Sequence, residues 1–413
     1  MNARVLTAND AVALAGRLAT YLSPRASRAL SGAAQKPLIV VDGPPSEETR
    51  TFAAAVVRRG GEAFVDGQRF IVVADRDVLA SLPGDVPLGC RPLAEEVLRA
   101  AAADAAPPPG LRLRSTTLTF EAGAGVMGIL NVTPDSFYDR GAYRRLDAAR
   151  SRAAELLAAG ATLIDIGGQS YAAGAPPVEE SEECARVVPV VEALRRDGIG
   201  IPLSVDTFRS GVAEAALAAG ADLINDCSGL RDPRLAAVVA RYDAALVVMH
   251  LKGELGVREP EYRYADVSGE VLEFLRLRLE EARAAGVAAE SLVVDPGLEF
   301  GKEPATDLEI LAAFGDLRSL GVPILLAASR KSFIGHIFGR PASDLLVPSL
   351  AVAAVGILAG ARLVRAHDVA ETVQVAKMLA AVEAAGCGAT AVPLGRSYEP
   401  HAYRLPRPRL EPR

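Results

Sequence analysis

Val126-Met127-Gly128-Ile129-Leu130-Asn131 is an apolar run that closes on a polar side chain. Seven further runs follow the same plan: Thr162–Gly167, Pro202–Asp206, Asp222–Asp226, Leu246–His250, Leu292–Asp295, Pro323–Ser329 and Arg362–His367. Amphipathic stretches of 3.6-residue period separate nearly all of them. Arg145–Ala159, Glu179–Arg196, Arg209–Ala219, Asp266–Ala285, Leu345–Ala359 and Ala370–Ala384 are such stretches. They stop at or near Gly160, Gly198, Gly220, Gly286, Gly360 and Gly386, where the chain must reverse into the next element. A strand–helix unit repeated eight times predicts an α/β protein, a (β/α)8 TIM barrel, whose strand C-termini converge on one mouth. The reactive residues are therefore placed together before their chemistry is considered.

The chain has 413 residues, more than the roughly 250 that one barrel requires. Residues 1–105 read as a small α/β N-terminal module. Its strand candidates are Pro37–Val41 and Phe70–Ala74, its helix candidates Glu47–Arg59 and Leu93–Ala103, and Met1–Leu22 is read as a short amphipathic helix. No catalytic or phosphate-binding motif falls in this module, which suits a docking or structural appendage. Residues 106–123 are a linker, Ala106-Pro107-Pro108-Pro109-Gly110, and a strand pair over Arg112–Phe120 that covers the base of the barrel. The barrel is expected over 124–387, and 388–413 form a Pro/Arg-rich tail.

Half of the residues are hydrophobic, so a large core is available and global disorder is excluded. A net charge of −6 gives no general case for nucleic-acid binding. Cys90, Cys184, Cys227 and Cys387 show no metal-type spacing and read as reduced thiols. No apolar stretch reaches the roughly 18 residues of a membrane span, and no signal peptide is evident. A cytoplasmic protein is expected.

The strand ends carry Asn131-Val132-Thr133-Pro134-Asp135-Ser136-Phe137, then Asp165-Ile166-Gly167-Gly168-Gln169-Ser170, then Ser204-Val205-Asp206-Thr207. Asn225-Asp226-Cys227-Ser228-Gly229, Met249-His250 and Asp295-Pro296-Gly297-Leu298-Glu299-Phe300-Gly301-Lys302 follow. Ser329-Arg330-Lys331-Ser332-Phe333-Ile334-Gly335 and Arg365-Ala366-His367-Asp368 complete the set. In this order the series resembles dihydropteroate synthase over about residues 124–385. The N-terminal module resembles an extra domain of some bacterial members.

The resemblance implies a reaction in which the amine of 4-aminobenzoate displaces pyrophosphate from 6-hydroxymethyl-7,8-dihydropterin pyrophosphate. It implies that Asp295 accepts hydrogen bonds from the guanidine-like edge of the pterin. Asn225 and Asp206 would complete the frame, and Lys331 would donate to the acceptor side of the ring. Asp206 would also stabilise positive charge as the C–O bond breaks. Arg365 and His367 match the family's anion-binding pair and Asn131 its Mg²⁺ ligand. Ser170 and Phe137, with Phe333, fall in the segments that flank the arylamine slot. A homodimer is implied as well. His250 fits the mouth or packing beneath it, and Lys302 fits a loop tether or a ligand contact. Cys227 reads as packing, and His336 and His401 as surface residues.

Two loops depart from the family pattern. The second loop commonly reads Glu-Ser-Thr-Arg-Pro but here is Gln169-Ser170-Tyr171-Ala172-Ala173. The first commonly contains Phe-Ser-Asp-Gly-Gly but here is Phe137-Tyr138-Asp139-Arg140-Gly141. Loss of the loop cation would remove a charge-assisted hydrogen bond worth about 1.5–3 kcal/mol, and Arg140 is a candidate replacement. Two other readings stay open: a pterin-binding paralogue with lost or altered amine use, and a pterin-dependent methyltransferase. The second is disfavoured by the Arg365/His367 pair, because a methyl carrier has no pyrophosphate to hold.

Overall fold

The structure, a computed structural model, describes residues 2–6, 38–42, 46–66, 69–106, 108–121, 123–132, 142–171, 175–257, 259 and 261–386. Phe137, Arg140, Ala172, Ala173, Cys387, His401 and the tail 388–413 lie outside the described residues.

Asn2–Val5 (β1) pairs antiparallel with Leu38–Asp42 (β2), Ala3 opposite Val41 and Val5 opposite Ile39. This corrects the helix expected over Met1–Leu22. Pairing buries Ala3 and Val5 in the module's core, which outweighs a short local pattern. Residues 7–22 of that expectation lie outside the described residues. Glu62–Asp66 (β3) and Arg69–Val73 (β4) complete a four-stranded sheet in the order β1-β2-β4-β3. Helices Glu47–Arg58, Arg76–Asp85 and Arg91–Ala105 accompany it. Phe52 meets Phe70 edge-on at 5.7 Å in the shared core. Strand β3 and the helix Arg76–Asp85 were missed because one begins and ends on carboxylates and the other contains Pro83-Gly84.

The module joins the barrel through polar contacts. The Val5 N–H donates to Ser319 Oγ at 3.0 Å, and buried Arg4 pairs with Asp266. A hairpin of Gly110–Arg112 (β5) and Thr117–Thr119 (β6) follows.

The barrel strands are Gly125–Asn131 (β7), Leu163–Gly167 (β8), Leu203–Asp206 (β9), Leu223–Asp226 (β10), Ala245–Met249 (β11), Leu292–Asp295 (β12), Leu325–Ala327 (β13) and Leu363–Ala366 (β14). All neighbours pair in parallel, in the order β12-β11-β10-β9-β8-β7-β14-β13. A bridge between Val294 and Ile324 closes the ring.

Strand alternation divides each run between two cores. Leu246 and Val248 of β11 face the helices, whereas Ala245 and Val247 join the inner cluster. That cluster contains Met127, Leu163, Leu223, Val293, Leu325 and Leu363, closed by Leu111, Leu113 and Phe120 of the hairpin region. The base is thus sealed with apolar side chains, and chemistry is left to the other end. Among the described residues, no helix is long and apolar enough to cross a membrane.

Candidate active site

Two residues beyond the inner apolar layer, the same inward parity changes chemistry. Leu163 is followed by Asp165, Leu223 by Asn225, Val293 by Asp295, and Leu363 by Arg365. Asp165 is fully buried and ties this layer together. Its Oδ2 accepts from Arg365 Nε at 2.7 Å and from Asn225 Nδ2 at 3.2 Å. Its Oδ1 accepts from Ser204 Oγ at 2.5 Å. Arg365 Nη2 donates to Asp206 Oδ2 at 3.0 Å. One guanidinium therefore spans two carboxylates from different strands, a geometry its planar fork suits. Asp226 has the opposite parity and caps its own loop, accepting from the N–H groups of Ser228 and Leu230.

Above this layer opens a cavity of about 1100 Å³, whose lining includes Asn131, Ser170, Asp206, Asn225, Lys331 and Arg365. Asp295 also faces it. The turn after Asp295 requires a glycine. Gly297 has φ +66°, and a Cβ there would lie 1.9 Å from the His250 carbonyl oxygen. Its N–H donates to Asp295 Oδ1 at 2.7 Å, which orients the carboxylate. Lys331 Nζ donates to the Leu298 carbonyl at 2.7 Å and lies 4.9 Å from the Phe300 ring centre. Two strands round the barrel, Asn131 Oδ1 crosses the bare face of Gly167, 3.2 Å from where a Cβ would stand. The cavity thus has acceptors deep inside, an ammonium on one wall and an amide oxygen near its rim.

Burial shapes the charges. It raises the Asp206 carboxyl above its ordinary range, against the lowering effect of Arg365 and with the neighbouring Asp165 charge. Burial also raises Asp295, opposed by Lys331. It works against the charged form of Arg365 too, but the two carboxylates outweigh it and hold the guanidinium protonated. His367 is exposed along its surface, yet desolvation and the Arg365 charge push its pKa down to about 4. At pH 7 it offers a neutral imidazole.

The cavity lining brings together Asn131, Ser170, Asp206, Asn225, Asp295, Lys331, Arg365 and Phe333. His367 does not line it, and Phe137 lies outside the described residues. His250 does not line it either. Its ring packs on Phe274 at 4.9 Å, and its Nδ1 lies 2.9 Å from Lys302 Nζ. Lys302 lines the cavity while donating to the carbonyls of Gly297 and Phe300, so it both borders the site and ties down the sixth loop. Asp165 was quoted but given no role. The inward parity it shares with Leu163 was the signal for it. Arg330 forks onto Asp368 with two 2.8 Å contacts and fixes the seventh loop.

The altered second loop is anchored by a residue the sequence reading passed over. Arg209 donates to Gln169 Oε1 at 2.9 Å and to the Val178 carbonyl at 2.6 Å. It also pairs with buried Glu183. A neutral amide at 169 avoids a second carboxylate on that one cation. Tyr171 packs beside Cys227, Met249, Leu251 and Phe300 on the cavity wall.

Comparison with known proteins adds four findings. The model of the pterin binding enzyme family matches residues 127–367. The dihydropteroate synthase of Bacillus subtilis is 39% identical over 273 residues, which cover 66% of this chain and 93% of that relative. Among solved structures, Xanthomonas albilineans dihydropteroate synthase with 4-aminobenzoic acid is 41% identical, with a TM-score of 0.63. That match covers 67% of this chain and 99% of the other. Burkholderia cenocepacia dihydropteroate synthase complexed with 7,8-dihydropteroate is 42% identical, with a TM-score of 0.61, covering 68% and 99%.

Proposed function

Because the chain belongs to the pterin binding enzyme family, and within it to the dihydropteroate synthases, we propose how its barrel mouth joins 4-aminobenzoate to 6-hydroxymethyl-7,8-dihydropterin pyrophosphate. The observation that carries this reading is the polar layer Asp165, Asp206, Asn225, Asp295 and Arg365 beneath one cavity. Asp295 accepts two N–H groups from the guanidine-like edge of the pterin. Asn225, its amide nitrogen committed to Asp165, turns its oxygen to the same ring, and Lys331 donates to the acceptor side.

As the bond to pyrophosphate breaks, positive charge spreads into the pterin. Asp206 and Asp165 lie preorganised below, two carboxylates sharing one guanidinium, and so favour that charge. An aromatic amine is neutral at pH 7, so no strong base is demanded of the site. The remaining guanidinium edge of Arg365 and the neutral His367 imidazole, near the eighth strand's end, are the donors assigned to the leaving group. Ser170 and Phe137 are assigned to the arylamine side.

Asn131 is the residue that would hold Mg²⁺. Among the described residues no group of three or more His, Cys, Asp or Glu could hold a metal. A single rim amide fits an ion bound mainly by phosphate oxygens and water. Such an ion supplies positive charge to the departing pyrophosphate.

A homodimer is supported by Val347, Val355 and Leu358 on one helix and Met378 and Val382 on the last, all exposed. Sedimentation should give twice the chain mass of 43.1 kDa, and a monomer at working concentration would overturn this part. A cytoplasmic location accords with the free thiols Cys90, Cys184 and Cys227.

The deciding experiment follows pyrophosphate release from the pterin substrate with Mg²⁺, with and without 4-aminobenzoate. Amine-dependent release is expected. Tight pterin binding without release would mark a binding paralogue instead.

A further inference from the structure

Tyr171 stands where the family commonly has a small threonine, and its side chain lines the cavity. Its ring sits in the apolar cluster of Cys227, Met249 and Leu251, flanked by Leu255 and Phe300. It also meets Phe208 edge-on at 6.0 Å. The Tyr171 Oη is buried beside the Cys227 thiol, a weak partner. No stronger partner meets it among the described residues. Asp206 Oδ1, which borders the same cavity, is likewise buried and without a hydrogen-bond partner. Two polar atoms are thus sealed from water at one place, and an unsatisfied buried group is costly.

This arrangement is poorly explained as a permanent wall. A tyrosine that only packed would hydrogen-bond its hydroxyl or leave it wet. The seat is instead balanced, with apolar contact of the ring opposed by the stranded hydroxyl. A bound pterin would satisfy Asp206 Oδ1, but only with the ring withdrawn. We propose that Tyr171 is a specificity-determining plug, seated at the pterin end of the cavity in the free protein and displaced when the pterin substrate binds. This rests on the pterin reading of the cavity. A site that must first expel its plug binds with an affinity reduced by the fraction of open molecules. Ligands too small to meet the polar layer would not drive the plug out.

Two substitutions separate this from a wall or a direct contact. Tyr171→Thr removes the ring and should tighten binding of the pterin pyrophosphate by roughly tenfold, the gain expected if about one molecule in ten is open. Tyr171→Phe keeps the ring and deletes the stranded hydroxyl. It should raise Tm by a few degrees and weaken pterin binding several-fold, because the closed seat is relieved of its unsatisfied group. Calorimetric titration with the pterin substrate, without amine, reads both on the full chain. Parent protein that binds no pterin would refute the functional reading itself. Parent that binds, with Tyr171→Thr binding equally or more weakly, would overturn the plug.

Discussion

Arg365→Ala is expected to lower kcat/KM by about 100- to 1,000-fold and to destabilise the barrel by about 3–5 kcal/mol, the usual result of removing one partner from a buried ion pair. The guanidinium lies between Asp165 and Asp206 at 2.7 and 3.0 Å, and its side chain is only 18% exposed. Without it, two carboxylates from neighbouring strands face each other with no cation between them. Burial already holds Asp206 above its ordinary range even with Arg365 present, so the variant should hold that proton more tightly still. The sign follows. A carboxyl whose folded pKa is raised favours folding while protonated and loses that stability as pH rises through the raised value. The variant's deficit should therefore be largest near neutral pH and shrink below the normal carboxylate range. Arg365→Lys is the control, since a single ammonium cannot fork onto both acids; it should recover part of the stability and little of the turnover. Urea melts at several pH values, beside steady-state kinetics, read all of this. Turnover within threefold of the parent in Arg365→Ala would remove the ion-paired layer from the mechanism.

The barrel was legible because each strand reports itself twice, as an apolar run and as a polar stop. Leu292–Asp295 coincides with β12, and the other runs overlap their strands within two residues at each end. The helices Leu235–Arg241, Pro304–Ala312 and Ser332–Phe338 were not singled out. The two of seven residues, Leu235–Arg241 and Ser332–Phe338, are too short for a 3.6-residue pattern to stand above chance. Within the site, Asp206, Asn225, Asp295 and Arg365 were legible from their place at strand ends, whereas the use made of Arg365 was not. Its partner Asp165 lies 200 positions away in sequence, and only the closed sheet brings the two together. Arg365 was expected on the anion, and the fold spends two of its donors on carboxylates. Tyr171 shows the opposite limit. The sequence marked it as irregular, but the stranded hydroxyl that gives the irregularity meaning belongs to packing, which no local pattern encodes.

Asp295→Asn should raise the dissociation constant for the pterin substrate by roughly 100-fold while leaving the KM for 4-aminobenzoate nearly unchanged. The carboxylate is 3% exposed, and the Gly297 N–H at 2.7 Å fixes its orientation. The substitution keeps size and shape but turns one acceptor into an NH₂ donor, so a guanidine-like edge meets a donor where it needs an oxygen. Losing a charge-assisted hydrogen bond costs about 1.5–3 kcal/mol, and an opposed donor adds to it. Stability should move the other way. Burial opposes the Asp295 charge, and Lys331 only partly compensates, so a neutral amide removes a charge that this buried position holds at a cost. A Tm equal to or above the parent's, together with weak pterin binding, would place the side chain in recognition rather than in the frame of the barrel. If Asp295→Asn bound the pterin within threefold of the parent, the carboxylate would not be reading that edge. The search for the pterin's partner would then move to Asp206, whose stranded Oδ1 is the other deep acceptor of the cavity.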